Sequence, residues 1–347
     1  MAVAAAGLVS VAYQRAADAA DRRRFPPPGR LVHVGGRRIH LLARGEGTPA
    51  VVVVPALASN VLEWVRVQRA AATKTTVCVC DRAGVGWSDP PPLGTLTLDG
   101  MADDLHAALA ATGIGPPYVI AGHSLGGIVA RRFQARYPAD VTGMLLVDSS
   151  HEDQSRRFGW RQGTGPHLWH AAQRQSRVLG VRRLAASLGR LSAVDWASLT
   201  RETVPEYAGA ARAITLSSKQ RQIAVREMLL AAQLRGRPQD LGALPLTVIS
   251  SANRWWDRWP TWSRMQDELA ALSSDSVHMT AVNAGHNVHL DEPLLVVQAI
   301  RDLVERCRAR DRVAGARDTT PRLPARPAGP AAVKIRSNFN VNVVGQW

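Results

Sequence analysis

A serine in a glycine-flanked turn is the residue of this chain whose surroundings most favour chemistry. Ser124 stands in Gly122-His123-Ser124-Leu125-Gly126, between an apolar run and a segment with a helical pattern. A serine that attacks a carbonyl must project its hydroxyl from a strained strand-to-helix turn, and glycines two residues to either side let strand and helix pass close together. The amide of Leu125 can then donate to the oxyanion that forms. The motif therefore predicts a nucleophile elbow centred on Ser124.

Short apolar runs, separated mostly by helical patterns, must position this serine. The runs are a hairpin at 31–34 and 39–43, followed by 50–54, 77–80, 118–121, 144–147, 246–249 and 277–282. The run at 50–54 is apolar throughout, which is typical of a strand buried on both faces of a parallel sheet. Strands that alternate with helices, such as the pattern at 98–112, predict an α/β fold with a mainly parallel sheet flanked by helices.

The alternation of strand and helix patterns is interrupted once, and this interruption indicates the domain organisation. Residues 151–240 contain no comparable apolar run but many alanines, leucines and arginines, so we expect a helical cap inserted into a core formed by 31–150 and 241–307. Residues 1–30 form an apolar and basic N-terminal arm. The final segment, 308–347, is rich in Arg, Pro, Ala and Gly and is expected to be a disordered basic tail.

The charge of the chain lies mostly outside the predicted core. The 347 residues carry a net charge of +15, of which the two terminal segments 1–30 and 308–347 hold +9 and the cap +8, while the core is at −2. Because the core shows no basic stripe interleaved with stacking residues, we expect no nucleic-acid partner. The three cysteines form neither a disulfide framework nor a metal-ligand pattern, so no metal or other cofactor is predicted.

The N-terminal arm leaves two alternatives open. Its first 13 residues are apolar, but a helix of that length spans about 20 Å against a bilayer core of about 30 Å, too short to cross alone. The stretch also lacks the basic start of a signal peptide, whereas the nearby Arg22-Arg23-Arg24 suits an anionic lipid surface. We expect a cytoplasmic protein in which residues 1–24 either contact a membrane peripherally or form a loosely docked helix.

Four segments resemble the α/β-hydrolase superfamily, specifically its cap-bearing serine hydrolases. In chain order they are Val51–Trp64, Asp81–Asp89, the turn at Ser124, and Gly285–Leu290 before Asp291-Glu292-Pro293. Together they extend the resemblance over residues 30–306. The fold and cap predicted above are what this family implies.

The resemblance implies that His286 is the general base. Its neutral imidazole would take the proton of Ser124 and return it to the leaving group. His289 is a competitor for this role, although we expect both His289 and His123 to be packing residues.

The acid of the triad has two candidates. Family members usually carry it in the loop after the strand at 246–249, but no carboxylate stands at the usual position there, and Asp257 follows later in the loop. Some cap-bearing relatives place the acid at the end of the strand that follows the nucleophile, where this chain has Asp148. A carboxylate there can orient the histidine and stabilise imidazolium. We predict Asp148 as the acid and keep Asp257 as the alternative.

The resemblance also implies a second oxyanion donor, the backbone amide of Leu57. The family often has His-Gly after the strand at 51–54, whereas this chain has Pro55-Ala56. Backbone donors tolerate a change of side chain, but alanine restricts φ more than glycine does. Leu57 and Leu125 are therefore the predicted pair of oxyanion donors. The geometry of the loop that carries Leu57 is left open by the sequence.

The sequence-based hypothesis is a serine hydrolase of esters, thioesters or lactones, acting on a small molecule through an acyl-enzyme and without a cofactor. Carbon–carbon bond hydrolysis and perhydrolysis by the same fold remain alternatives. A non-catalytic binding protein on a hydrolase scaffold is a further alternative, since a fold does not fix a function. The oligomeric state is not predicted.

Overall fold

The computed structural model of the protein describes residues 2–159, 183, 204–252 and 259–318. Two compact units divide the chain, Met1–Arg310 and Asp311–Trp347. Of the second unit, the described residues are helical and end at Asp318. The predicted alternative acid, Asp257, lies outside the described residues.

Eight strands form a single sheet in the first unit. They are β1 (Arg30–Val34), β2 (Arg37–Arg44), β3 (Ala50–Val54), β4 (Val77–Asp81), β5 (Tyr118–His123), β6 (Val141–Val147), β7 (Leu246–Ser251) and β8 (Ser276–Ala281). Their order across the sheet is β1-β2-β4-β3-β5-β6-β7-β8. The pairs β1–β2 and β2–β4 are antiparallel, and every pair from β4 to β8 is parallel. The predicted mainly parallel sheet is confirmed.

Helices flank this sheet and also occupy part of the predicted cap. The described α-helices are α1 (Ala2–Arg24), α2 (Val65–Ala71), α3 (Leu98–Thr112), α4 (Leu125–Arg136), α5 (Gln154–Arg157), α6 (Ala208–Leu216), α7 (Ser218–Ala232), α8 (Trp259–Ala270), α9 (Val288–Asp291) and α10 (Pro293–Asp318). Short 3₁₀ helices cover Val61–Trp64, Pro138–Asp140 and Pro205–Tyr207. Within the described part of 151–240, the regular elements are helical. An inserted cap over 151–240 stays a prediction.

The apolar run of β3 illustrates why these strands lie at the centre. Successive side chains of a strand point to opposite faces of the sheet. Val51 and Val53 belong to the core cluster that includes α10, whereas Val52 and Val54 belong to the cluster that includes α3 and α4. Because helices cover both faces, every residue of β3, β4 and β5 is buried. The sheet is thus a rigid frame for the loops at its carboxyl edge.

The C-terminal end of the described chain differs from the sequence-based prediction. A disordered tail is predicted from residue 308, but the final helix α10 continues to Asp318, through the first residues of that tail. This stretch consists of Arg, Ala, Asp, Val and Gly with no proline, so helix propensity allows the extension. The remainder of the tail, 319–347, lies outside the described residues.

The N-terminal helix α1 is docked on the described helices of the cap region. The Asp18 carboxylate accepts hydrogen bonds from the amide and the hydroxyl of Ser218 at 3.2 and 2.6 Å, and from Arg183 at 2.9 Å. The Gln14 side chain donates to the Leu216 carbonyl at 3.1 Å. Among the helices that the structure describes, none has the length and hydropathy to cross a membrane. A peripheral membrane contact of residues 1–24 stays a prediction.

Candidate active site

Ser124 lies on the turn between β5 and α4, at the carboxyl edge of the sheet. Its backbone has φ 52° and ψ −121°, a combination that costs a non-glycine residue about 1–3 kcal/mol. A Cβ on Gly122 would overlap the main chain of Gly126, and a Cβ on Gly126 would overlap the carbonyl of Val54. The two glycines therefore let β5, α4 and β3 approach closely enough to form the strained turn.

His286 lies beside Ser124, in the loop between β8 and α9. Its Nε2 is 3.0 Å from the Ser124 hydroxyl, and its Nδ1 is 2.6 Å from a carboxylate oxygen of Asp148. The loop is held on both sides, because His123 bonds the His286 carbonyl at 2.8 Å and the Gly285 amide donates to Asp291 at 2.8 Å. The imidazole is thereby aligned between a hydroxyl and a carboxylate.

Asp148 follows β6 directly and is almost fully buried. One carboxylate oxygen faces His286, and the other accepts hydrogen bonds from the Ser251 amide at 3.0 Å and the Trp262 indole at 2.9 Å. Burial alone would raise the pKa of Asp148, but the hydrogen bonds from His286, Ser251 and Trp262, with the charge of His286, hold the pKa below its usual value. The carboxylate therefore stays ionised at neutral pH, next to the histidine.

Sequence reasoning did not single out the two donors that hold Asp148. Ser251 ends β7, the strand beside β6, and Trp262 lies in α8, with its ring edge-on to His286 at a centroid distance of 5.7 Å. The sequence indicated a cluster of tryptophans at 255–262 but not which one would face the site. The packing of α8 against the end of the sheet places Trp262 at the site, while residues 253–258 lie outside the described residues.

The predicted oxyanion donors lie at the same edge of the sheet. Leu125 is the first residue of α4, where backbone amides have no partner within the helix, and Leu57 lies in the loop that follows β3. Within the described part of the chain, neither amide donates to another group of the protein. Both amides therefore keep the capacity to donate to a ligand.

Backbone strain is concentrated in these loops. Within the described ranges, the non-glycine residues with positive φ are Ala58, Ser124 and Asp148, at 54°, 52° and 39°. The sequence indicates a restricted φ at Ala56, where the family often has glycine. The residue of this loop with positive φ is instead Ala58, on the other side of Leu57. Such residues persist only where the surrounding structure holds them, and they cluster at functional sites. One lies in the loop after β3 that carries Leu57, called the oxyanion loop below, and the other two are the predicted nucleophile and the predicted acid.

The two other histidines near Ser124 are buried packing residues. His289 stacks on Trp64 with ring centroids 4.4 Å apart, and burial, with a smaller contribution from His286, lowers its pKa to about 3. Burial, together with the charges of His289 and His286, also lowers the pKa of His123 well below its usual value. Both rings are neutral at pH 7. His286, whose side chain is 46% exposed, is the one placed to exchange protons with a substrate.

A buried carboxyl close to the oxyanion loop makes stability depend on pH. Glu63 accepts a hydrogen bond from the Ser59 hydroxyl at 2.6 Å, and its burial raises the pKa to about 7, although that hydrogen bond works in the opposite direction. The pKa of Glu63 is higher in the folded chain than in the unfolded chain. Its contribution to stability is therefore fully present at pH values below the unfolded-state pKa and is lost as pH rises through 7.

We expect Glu63→Gln to abolish this pH dependence, because an amide cannot ionise. Between pH 5 and pH 8 the wild type should lose roughly 2 kcal/mol of unfolding free energy that the variant retains. Urea unfolding at the two pH values measures the difference. Glu46→Gln, at an exposed position, is the control and should track the wild type. Parallel curves for Glu63→Gln and wild type would contradict the expectation.

Comparison with known proteins agrees with the fold. A family model described as alpha/beta hydrolase fold matches residues 49–293, so the chain belongs to this family. An uncharacterized protein of Schizosaccharomyces pombe is 29% identical over 236 residues, which cover 63% of this chain and 39% of that protein. The chain therefore spans less than half the length of this relative.

Two solved structures show how far the fold is shared. A thermophilic esterase from Thermogutta terrifontis is 23% identical, with a TM-score of 0.55 over 80% of this chain and 97% of its own. The enol-lactonase from Burkholderia xenovorans is 20% identical, with a TM-score of 0.58 over 80% of this chain and all of its own. At this identity the likeness is one of fold.

Proposed function

We propose that this protein is a serine hydrolase that cleaves a carboxylic ester, a thioester or a lactone through an acyl-enzyme. One observation carries the proposal: a continuous hydrogen-bonded line runs from the Ser124 hydroxyl through His286 to Asp148. A serine paired with a histidine that is itself oriented by a carboxylate is the arrangement that activates a hydroxyl for acyl transfer.

The reaction has two halves. In the first, Ser124 Oγ bonds to the substrate carbonyl carbon while His286 Nε2 takes the hydroxyl proton, and the tetrahedral intermediate collapses when that proton passes to the departing alcohol or thiol. In the second, water attacks the acyl-enzyme with the same proton transfers, which releases the acid and restores the serine. A lactone opens in the first half and keeps its alcohol on the acyl group.

The surroundings of His286 support both halves. Asp148 accepts from Nδ1, which leaves Nε2 without a proton and ready to accept one from Ser124. When Nε2 is protonated, the ionised Asp148 stabilises the imidazolium. The amides of Leu57 and Leu125 would receive the negative charge on the substrate oxygen. The similar folds of an esterase and an enol-lactonase are compatible with this class of substrate.

A panel of acyl donors tests the proposal. The full chain is incubated with p-nitrophenyl esters of increasing acyl length, an acyl thioester and a lactone, and product release is followed with time. We expect saturable turnover of at least one class, with a burst of p-nitrophenol equal to the enzyme concentration where deacylation is slower than acylation. Folded protein that binds these compounds without turning any over would instead support the binding-protein alternative.

A further inference from the structure

A buried ion pair underlies the loop that carries Leu57. Arg82 follows β4, and Glu227 lies on α7 in the cap region. Their side chains are 3% and 0% exposed, and two parallel hydrogen bonds join them, Nε to Oε1 at 2.8 Å and Nη2 to Oε2 at 3.0 Å. Bidentate pairs of this kind fix geometry as well as contributing energy.

Both members of the pair also bind the main chain of the loop. The Arg82 guanidinium donates to the Pro55 carbonyl and, at 2.7 Å, to the Ala56 carbonyl. The Glu227 carboxylate accepts from the Ala58 amide at 2.7 Å. The pair therefore holds peptide groups on both sides of Leu57 while leaving the Leu57 amide itself unengaged.

A second side chain of α7 reinforces this arrangement. Gln220 donates from its side-chain nitrogen to the Ala58 carbonyl, and its side-chain oxygen accepts from the Gly86 amide at 3.1 Å. Ala58 is the residue of this loop with positive φ. An alanine does not favour this conformation by itself, so the bonds from Gln220 and Glu227 explain why it is held there.

Stability alone does not account for a charged pair at this place. Removing two charges from water is costly, and apolar residues of similar volume often stabilise a fold equally well. An apolar pair, however, could not donate to two carbonyls and accept from an amide of the same loop. Charged groups are required here because they hold the loop in its orientation.

We propose that Arg82 and Glu227 are positioning residues that orient the Leu57 amide toward the oxyanion, so that helix α7 of the cap region forms part of the catalytic machinery. The inference rests on the proposed function. Both side chains act through the loop and do not themselves contact the substrate. Because α7 spans from the Asp18 contact at Ser218 to Glu227, the N-terminal helix is also joined to the oxyanion loop through α7.

Glu227→Gln tests the proposal with the full chain and the best p-nitrophenyl ester. In the wild type, Oε2 accepts from both Arg82 Nη2 and the Ala58 amide, and Oε1 accepts from Arg82 Nε. A glutamine has one acceptor oxygen, so its NH₂ group must face either Arg82 Nε or the Ala58 amide, both of which donate, and the charge that pairs with Arg82 is lost. We expect kcat to fall about 10²-fold, in the range found when an oxyanion donor is lost, with KM changed less than about threefold. Affinity for an alkylboronic acid, which mimics the tetrahedral intermediate, should fall in parallel with kcat/KM.

A double variant covers the case in which one uncompensated charge prevents folding. Arg82→Met combined with Glu227→Met removes both charges at similar volume and should keep the circular dichroism spectrum, while kcat falls as in the single variant. Gln68→Met is the control, because Gln68 is equally buried and donates to the Leu42 and Val77 carbonyls, away from this loop. It should leave kcat unchanged.

Three results would overturn the proposal: a folded double variant with wild-type kcat, an equal loss of kcat in Gln68→Met, or unfolding of both Glu227 variants, which would make the pair a requirement of the fold. These results are separable from failure of the proposed function. If the hydrolase proposal is wrong, the wild type itself hydrolyses no ester; if only the positioning role is wrong, the wild type is active and the folded variants match it.

Discussion

Replacement of Ser124 by alanine is expected to lower kcat for ester hydrolysis on the order of 10⁶-fold, the loss seen when a triad nucleophile is removed. Without Oγ, no bond to the carbonyl carbon can form, and His286 has no hydroxyl from which to take a proton. Steady-state hydrolysis of the best p-nitrophenyl ester measures the effect. Residual turnover would reflect binding and the oxyanion amides.

A matched serine provides the control for this expectation. Ser274 is exposed and lies just before β8, at the amino-terminal edge of the sheet, whereas Ser124 lies at the carboxyl edge. Ser274→Ala should keep wild-type kcat. Ser124→Ala with more than a tenth of wild-type activity would assign the nucleophile elsewhere.

Replacement of Asp148 by asparagine is expected to lower kcat about 10⁴-fold. The asparagine oxygen can still accept from Ser251 and Trp262, which turns the amide nitrogen toward His286 Nδ1. Since that nitrogen donates, Nδ1 must accept and the ring proton moves to Nε2. An Nε2 that already carries a proton cannot take one from Ser124. The fall in kcat thus comes from the wrong tautomer of His286, while the geometry of the site is retained.

The fold should survive this change, which makes the kinetic effect interpretable. Asparagine has the shape of aspartate and is among the residues that tolerate the positive φ of 39° found at this position. Thermal unfolding of Asp148→Asn, followed by circular dichroism, should remain cooperative. Asp257→Asn is the comparison: activity close to wild type agrees with Asp148 as the acid. A large loss in Asp257→Asn with little loss in Asp148→Asn would reverse the assignment.

The elements that could be predicted from the sequence are those with local signals. Apolar runs located the strands, because a strand buried on both faces has few polar residues to interrupt it. The glycines around Ser124 predicted its turn, because close approach of strand and helix excludes a Cβ there. Asp148 could be proposed because it stands at the end of a strand, where parallel strands bring their carboxyl ends together.

The parts of the site that the sequence did not predict depend on contacts between distant segments. Trp262 and Asp148 are 114 positions apart, and Glu227 and Ala58 are 169 positions apart. No periodicity or motif connects such residues, since their contact is set by how helices pack on the end of the sheet. The sequence likewise gives no indication of the positive φ of Ala58, because glycine is the usual signal for that conformation.

Covalent labelling with a fluorophosphonate tests the central claim most directly. The probe reacts with an activated serine, and mass spectrometry of the intact chain and its peptides identifies the modified residue. We predict one adduct per chain, on Ser124, that is absent from Ser124→Ala and forms far more slowly in Asp148→Asn. An adduct on another residue, or no adduct on folded wild-type protein, would contradict a Ser124–His286–Asp148 hydrolase.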